Sequence, residues 1–153
     1  MSEIIIADTS CLILLEKINF LNILEILFSK VAVTPEVSEE FGYTLPDYIE
    51  VSPAKNSISY MIIDAKLGKG ESSAIQLAIE NPGCLLIIDE LKGRKLAESL
   101  DIRITGALGR FIEAKLRGHI KSIKPILLKV KETDFRISEE LELKALKLAK
   151  EKK

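Results

Sequence analysis

The sequence predicts an α/β protein with three layers, α/β/α, around a central parallel sheet of four to five strands. Two fully apolar runs, residues 4–7 and 84–88, have the composition of strands that are buried on both faces. Segments with helical spacing follow both runs, and strands that alternate with helices at these lengths form a parallel sheet. A chain of 153 residues is long enough to bury one continuous core.

The first half of the chain begins with the strand at 4–7 and a helix whose apolar residues recur up to Ile18. We expect Thr9 or Ser10 to cap that helix. Asn19 interrupts the pattern, and residues 20–28 form a second, very apolar helical segment. A buried strand at 31–34 precedes a helix that starts at Pro35, in the first-turn position that proline prefers, and ends before Gly42.

The second half starts with a loop over residues 43–55, which includes a short edge strand at 48–51. Helices are predicted at 56–67, 71–81, 91–100 and 107–117, and strands at 84–88 and 102–105. Residues 1–140 are expected to form the domain and residues 141–153 a charged helical tail, which docks either on the domain or on a partner. The apolar segment 20–28 is either an internal helix or part of a homodimer surface.

Composition excludes several classes of protein. The 22 basic and 23 acidic residues nearly cancel, so a polyanion would need a local basic patch or metal ions. No apolar run approaches the ~20 residues that span a bilayer, and the first residues lack signal-peptide features, which predicts a cytoplasmic protein with no membrane partner. Cys11 and Cys84 are expected at opposite ends of the sheet, as free buried thiols.

Two carboxylates follow the two most apolar strands. Asp8 and Asp89 each come directly after such a strand, and the carboxyl ends of parallel strands form the crevice where α/β proteins bind ligands. Asp8 alone could equally cap the next helix. Two such residues at one edge repel each other, and hard oxygen ligands without Cys or His indicate Mg²⁺ or Mn²⁺ as the compensating charge.

Two further carboxylates border apolar helix faces. Glu71 lies four residues before Ile75 on the buried face of its predicted helix, where it could also serve the helix dipole or a cap. Glu40 lies three residues after Val37 and borders a buried face, whereas Glu39 points away from it. A solvated helix surface is the alternative for both Glu40 and Glu71.

Other chemistries have little support. His119 is the only histidine, and no Cys/His spacing indicates zinc. The glycines of segments 68–70 and 106–109 lack the residues of a phosphate-binding loop. We expect them to stop a helix and to allow close packing of helix on sheet.

These motifs, in this order, resemble the PIN domain, the metal-dependent ribonuclease fold found in many VapBC toxins. The resemblance covers about residues 4–140, and it is carried by Ile-Ala-Asp8-Thr9-Ser10, segment 34–40, Leu67-Gly68-Lys69-Gly70-Glu71, segment 86–90, Gly93-Arg94, Ile104-Thr105-Gly106 and Phe135-Arg136-Ile137-Ser138. The last three are similar to one largely uncharacterised branch, common in archaea and cyanobacteria. The fold implied is the three-layer α/β/α arrangement predicted above.

The resemblance also implies a site. The family's acidic cluster falls on Asp8, Glu40, Glu71 and Asp89, which would be the catalytic residues and would bind one or two Mg²⁺ or Mn²⁺ ions, with Thr9 or Ser10 beside them on the substrate side. Many catalytic members have Asp where this chain has Glu71, and a further Asp where it has Glu90.

The leading functional hypothesis is therefore a metal-dependent endoribonuclease, in which Lys92, Arg94 and Lys95 hold the RNA backbone; a solvated helix face is the alternative for these three. The resemblance adds the role of a toxin, with an antitoxin partner and a homodimer. A non-catalytic PIN-like module that binds RNA or protein is the alternative, favoured by the departures at Glu71 and Glu90. A phosphatase-like enzyme would need a second Asp where Ser10 stands.

Overall fold

A computed structural model describes residues 3–152 of the protein. Its sheet has five parallel strands, in the spatial order β3-β2-β1-β4-β5. The strands are β1 (Ile5–Ala7), β2 (Val31–Val33), β3 (Ile49–Val51), β4 (Leu85–Ile87) and β5 (Arg103–Thr105). The helices are α1 (Thr9–Lys17), α2 (Ile23–Phe28), α3 (Pro35–Phe41), α4 (Ile58–Asp64), α5 (Lys69–Ile79), α6 (Leu91–Ser99), α7 (Ala107–Leu116), α8 (Lys124–Lys131) and α9 (Glu139–Leu148). This arrangement confirms the predicted three-layer α/β/α fold.

The centre of the sheet is its most apolar part. The side chains of β1 and β4 are buried throughout, as expected for strands covered by helices on both faces. The strand order changes direction between β1 and β4, because β1 connects to β2 on one side and the chain later returns to β4 on the other. In open α/β sheets the crevice outside such a switch point is where ligands bind.

Helix boundaries differ from the prediction at several places. Asp8, and not Thr9 or Ser10, is the N-cap residue of α1, so that prediction was wrong. Helix α5 begins at Lys69, two residues earlier than predicted, because Gly68 adopts the extended N-cap conformation and starts the helix instead of stopping the one before. Helix α4 is shorter than predicted, and Ser57 caps it by accepting from the backbone N–H of Tyr60.

The segment 20–28 contributes to the core. Helix α2 packs against α7 and β2, and it buries Ile23, Leu24 and Leu27. The ring of Phe20, just before α2, stacks on that of Phe111 with 6.1 Å between centroids. These contacts favour the interpretation of the segment as internal. Cys11 and Cys84 are free and buried, as predicted.

The C-terminal helices cover α7. Helix α9 packs on α7 and buries Ala145 and Leu146, and the predicted boundary between domain and tail falls inside α9, at residues 140 and 141. Behind it, Glu151 accepts from the backbone N–H of Ile123 at 2.8 Å and pairs with Lys115 at 3.6 Å. Over residues 3–152, no helix is both long and apolar enough to cross a membrane.

Candidate active site

Asp8 lies at the carboxyl end of β1, beside the end of β4. Its backbone N–H donates to the carbonyl of Ile87 at 3.0 Å, and its side chain is 1% exposed. The carboxylate does not accept from the N–H groups of the second or third residue of α1, which an N-cap side chain normally binds. Its Oδ2 accepts from the Ser10 hydroxyl at 3.3 Å, whereas its Oδ1 is buried and has no hydrogen-bond partner. A buried oxygen without a partner is costly and rare in folded proteins.

Burial raises the pKa of Asp8 to about 6. Hydrogen bonds from the Thr9 backbone and from Ser10 lower it, and the negative charges of Glu40 and Asp89 raise it further. The carboxylates of three different elements therefore lie close enough to act on one another.

Glu40 reaches this edge from the second half of α3. The Thr9 hydroxyl donates to its Oε1 at 2.7 Å, which ties the start of α1 to α3. The contact depends on a glycine, because a Cβ at Gly70 would clash with Glu40 Oε1 and lie 2.7 Å from the Thr9 hydroxyl. Glu40 is otherwise exposed, so it forms the open side of the group.

Glu71, in the first turn of α5, holds the second orphaned oxygen. Its Oε2 is buried without a hydrogen-bond partner. This oxygen faces Gly93, and a Cβ added at Gly93 would lie 3.0 Å from it. Burial raises the pKa of Glu71 to about 7, and a hydrogen bond with Glu90 and the charges of Asp8, Glu90 and Glu40 raise it further. The pKa of Glu90 is lowered, chiefly by the backbone N–H of Gly93, which donates to it at 2.8 Å. The proton of this pair therefore belongs on Glu71.

Asp89 follows β4 and is turned toward α7. Its two carboxylate oxygens lie 3.1 and 3.3 Å from the backbone N–H of Ala107, the first residue of that helix. Burial raises the pKa of Asp89, while this hydrogen bond and the nearby charge of Arg94 lower it. Arg94 itself donates to the carbonyl of Ile88 at 2.8 Å. Asp89 thus has a structural contact that Asp8 lacks.

Three glycines make room for three of the carboxylates. Gly70 faces Glu40, Gly93 faces Glu71, and a Cβ at Gly106 would lie 2.5 Å from Asp89 Oδ1. The predicted roles, a helix stop for segment 68–70 and packing on the sheet for segment 106–109, were wrong for Gly70 and Gly106, because both face side chains of the acidic group. Only Gly109 of that pair of segments contacts a strand residue among those described, with a Cβ position 2.7 Å from the Thr105 hydroxyl. One signal in the sequence could have indicated that these glycines face carboxylates. Each lies at or near the start of a helix that begins beside an acidic residue.

The group is also surrounded by helix N-termini. Helices α1, α5, α6 and α7 all begin at this edge, with Asp8, Gly68, Glu90 and Gly106 at their N-cap positions. The partial positive charge of a helix N-terminus stabilises a nearby carboxylate. The fold therefore reduces, without removing, the repulsion within the group.

The predicted substrate-binding residues lie in different surroundings. Lys92 and Lys95 are exposed on α6, whereas Arg94 is half-buried and bound to the Ile88 carbonyl. Thr9 and Ser10 donate their hydroxyl groups to Glu40 and Asp8. Within α6, then, the lysines and not Arg94 are exposed to solvent.

The residues present fit a divalent cation in their chemistry. All the donors are carboxylate oxygens, which Mg²⁺ and Mn²⁺ prefer, and Asp8 Oδ1 and Glu71 Oε2 have no other partner. Within residues 3–152, no three acidic, histidine or cysteine side chains converge closely enough to hold an ion in their present rotamers. The hydrogen bond of Asp89 to α7 is one contact that holds a carboxylate away from the others.

The model of a family described as PIN domain matches residues 4–151. The chain belongs to the PIN domain family. This match confirms the resemblance drawn from the motifs and extends it through α9. No curated protein and no solved structure matches the chain closely enough to count as a relative. PIN domains are in general nucleases, and the carboxylates described above lie at the sheet edge where an α/β fold binds its ligand.

Proposed function

We propose that this PIN domain is an endoribonuclease that depends on Mg²⁺ or Mn²⁺, with Asp8, Glu40, Glu71 and Asp89 as its acidic site. The observation that carries the proposal is the pair of buried carboxylate oxygens, Asp8 Oδ1 and Glu71 Oε2, that have no partner at the switch point of the sheet. A protein retains such costly groups where they bind something, and the cost is the reason that a cation is expected there.

Each residue has a distinct part in this proposal. Asp8 and Glu71 would hold the ion with their free oxygens, and Asp89 and Glu40 would complete its surroundings. The bound ion would supply activation of water and neutralise charge on the phosphodiester. Thr9 and Ser10 orient Glu40 and Asp8 through their hydroxyl groups.

The direct test is cleavage of single-stranded RNA by the wild type and by Asp8→Asn, which keeps the shape of the side chain and removes its charge. We expect the variant to lose at least about a hundredfold in rate, because a ligand and its charge are lost together. Glu39→Gln is the matched control, since Glu39 is an exposed carboxylate on the same helix as Glu40. Equal rates for the wild type and Asp8→Asn would indicate a contaminating nuclease and contradict the proposal.

The toxin role, with an antitoxin partner, a homodimer and a cytoplasmic location, stays a prediction from the family resemblance. Expression of the wild type should arrest growth, and expression of Asp8→Asn should not. Co-expression of a small neighbouring gene should relieve the arrest. Growth that is unaffected by the wild-type protein would leave an RNA-processing role as the biological setting.

One observation favours the alternative, a non-catalytic PIN-like module. Asp89 is already engaged as a cap of α7, so a metal site that needs this side chain would have to compete with that contact. Calorimetry with Mn²⁺ separates the two functions. Binding that Asp8→Asn abolishes supports the nuclease, whereas no binding at millimolar Mn²⁺ supports the non-catalytic module.

A further inference from the structure

A cleft runs from the acidic group along α1. It is lined by Ser10, Ile13, Leu14, Lys17, Asp134 and Phe135 and has a volume of about 290 Å³. Its inner end is Ser10, the residue whose hydroxyl contacts Asp8 Oδ2. Whatever occupies the cleft therefore lies next to the proposed site of cleavage.

The wall opposite α1 is the segment that follows α8, which the proposed catalytic site does not use. Its backbone is fixed, because the Phe135 N–H donates to the Thr133 hydroxyl at 3.1 Å and that hydroxyl donates to the Val130 carbonyl at 2.6 Å. The Phe135 ring is half-buried, with one part packed on the core and another part lining the cleft. The backbone that carries this ring is thus fixed, and the ring lines the same cleft as Ser10, whose hydroxyl contacts Asp8.

Charged groups lie at the outer end of the cleft. Lys17 pairs with Asp134 at 3.0 Å, and this pair also borders a second cavity of about 620 Å³ that continues past Asn19. The hydrogen bond from Lys17 lowers the pKa of Asp134, and the exposed Arg136 lies close enough for its positive charge to lower it further. From Ser10 to Lys17 the α1 helix extends about 10 Å, which is longer than one nucleotide.

A third cavity allows the charged residues that line this cleft to be compared with those of another site. A cavity of about 400 Å³ between α3 and α4 is lined by two carboxylates, Glu36 and Asp64, against one ammonium group, Lys69. That balance disfavours a phosphate. The cleft beside α1 has one carboxylate, Asp134, which is already paired with Lys17, and the exposed Arg136 lies near this pair. An aromatic ring with a cation nearby is the combination that recognises an unpaired nucleotide, whose base stacks while its phosphate pairs with the cation.

We propose that this cleft is a nucleotide subsite, in which an unpaired RNA base stacks on Phe135 while the exposed Arg136 holds the adjoining phosphate. The proposal rests on the proposed function for its choice of ligand, and it adds a reason for single-strand selectivity. A base in a duplex is stacked and paired, so it is not free to enter a cleft of this size.

Binding is measured without divalent ions, so that the subsite is tested separately from catalysis. The probe is fluorescein-labelled oligouridine, titrated in EDTA with the full chain, alone and annealed to oligoadenosine. We expect Phe135→Leu to weaken binding of the single strand by about tenfold, since one stacked base is lost, and Phe135→Tyr to bind like the wild type. Neither variant should alter the weaker binding of the duplex.

Matched controls separate stacking and charge from general effects. Tyr43→Leu removes an exposed aromatic ring that does not line the cleft and should leave binding unchanged. Arg136→Gln should weaken binding by several-fold and reduce its salt dependence, whereas Lys124→Gln, on the exposed surface of α8, should change neither. Thermal unfolding of each variant shows whether it is folded.

A second measurement gives the position directly. Oligouridine containing 5-iodouridine, crosslinked by light to the wild type, should modify the peptide that contains Phe135. Crosslinks confined to other peptides, no measurable binding of the single strand, or equal binding by Phe135→Leu and the wild type would each overturn the subsite. These results are distinguishable from failure of the proposed function, which is Asp8-independent cleavage or none.

Discussion

Asp8 and Glu71 each keep one oxygen in the interior with nothing to bind it. Burial makes the ionised form of both side chains unfavourable, and it raises their pKa values to about 6 and about 7. Glu90 stays ionised beside Glu71 because the Gly93 N–H stabilises its charge. In the absence of a cation, protons at Glu71 and Asp8 therefore relieve the repulsion.

This arrangement predicts that the metal-free protein loses stability as the pH rises. The unfolded chain releases the Glu71 proton near its ordinary pKa of 4.5, but the folded protein retains it up to about pH 7, so the free energy of unfolding falls between these values. Glu71→Gln should remove this part of the pH dependence and raise the stability at pH 8 by about 1–2 kcal/mol, discounted because Glu71 is partly exposed. Urea denaturation at several pH values measures it.

The control for that measurement is Glu39→Gln, which removes an exposed carboxylate outside the group. It should leave the pH dependence as in the wild type. A Glu71→Gln profile parallel to that of the wild type would contradict the assignment of the raised pKa to Glu71.

Gly70→Ala should displace the Glu40 side chain. Alanine is normally favoured over glycine inside a helix by about 1 kcal/mol, but here its Cβ clashes with Glu40 Oε1. Because Glu40 is flexible, the expected result is loss of its bond to Thr9, with lower Mn²⁺ affinity and little change in stability. In a Thr9→Ala/Glu40→Ala background, which removes both side chains that a Cβ at Gly70 would meet, the same Gly70→Ala change should be stabilising, and a mutant cycle by urea denaturation checks this. A stabilising effect in both backgrounds would show that the clash has no consequence.

Among the elements, the strands were the easiest to predict. Ile6 and Leu86 lie in runs with no polar residue, and short runs of this kind, rich in isoleucine and leucine and followed by helices, are typical of the middle of a covered parallel sheet. The positions of Glu40 and Glu71 beside apolar helix faces also followed from periodicity, because the helical repeat fixes which residues share a face. What the structure shows in addition is how their carboxylates contact Thr9 and Gly93.

The parts that could not be predicted depend on contacts between elements. The hydrogen bond of Asp89 to Ala107 joins residues 18 positions apart, and no local pattern specifies which rotamer Asp89 adopts. The start of α5 at Lys69 follows from the extended backbone at Gly68, which is a conformation and not a residue preference. Sequence spacing indicates which groups can meet, but packing decides how they are turned.

Helix α9 offers a test of whether the C-terminal segment is part of the folding unit. Leu146 is 4% exposed against the core, so Leu146→Ala should lower the free energy of unfolding by about 2–4 kcal/mol. Leu148→Ala, two residues further and 53% exposed, is the matched control and should cost less than about 1 kcal/mol. The measurement is chemical denaturation of the full chain. Equal effects for the two variants would indicate that α9 is a separate tail, as the predicted boundary at residue 140 implies.

At the scale of the whole molecule, the family match extends through residue 151 and α9 packs on α7. The chain's net charge of −1 offers no general attraction for RNA. Under the proposed function, affinity for RNA would therefore come from a few local groups and from an ion in the acidic group.

We expect Mn²⁺ to raise the melting temperature, because a ligand that binds only the folded state stabilises it. The rise should be larger at pH 8 than at pH 5.5, since protons compete with the ion for Asp8 and Glu71. Differential scanning fluorimetry with and without Mn²⁺ measures it, and Asp8→Asn provides the comparison. A rise of equal size in Asp8→Asn would place the ion elsewhere.

The three glycines that face carboxylates give the protein an unusual vulnerability. At Gly70 and Gly106 an added methyl group would occupy the space of a carboxylate oxygen, whereas at Gly93 it would meet the buried Ile88 side chain at 2.6 Å as well as Glu71 Oε2 at 3.0 Å. A variant at Gly70 or Gly106 would have a disturbed acidic site but would keep the same surface and the same clefts. Under the proposed function, alanine at Gly70 or Gly106 would therefore give a form that binds RNA without cleaving it, from which the bound RNA could be recovered.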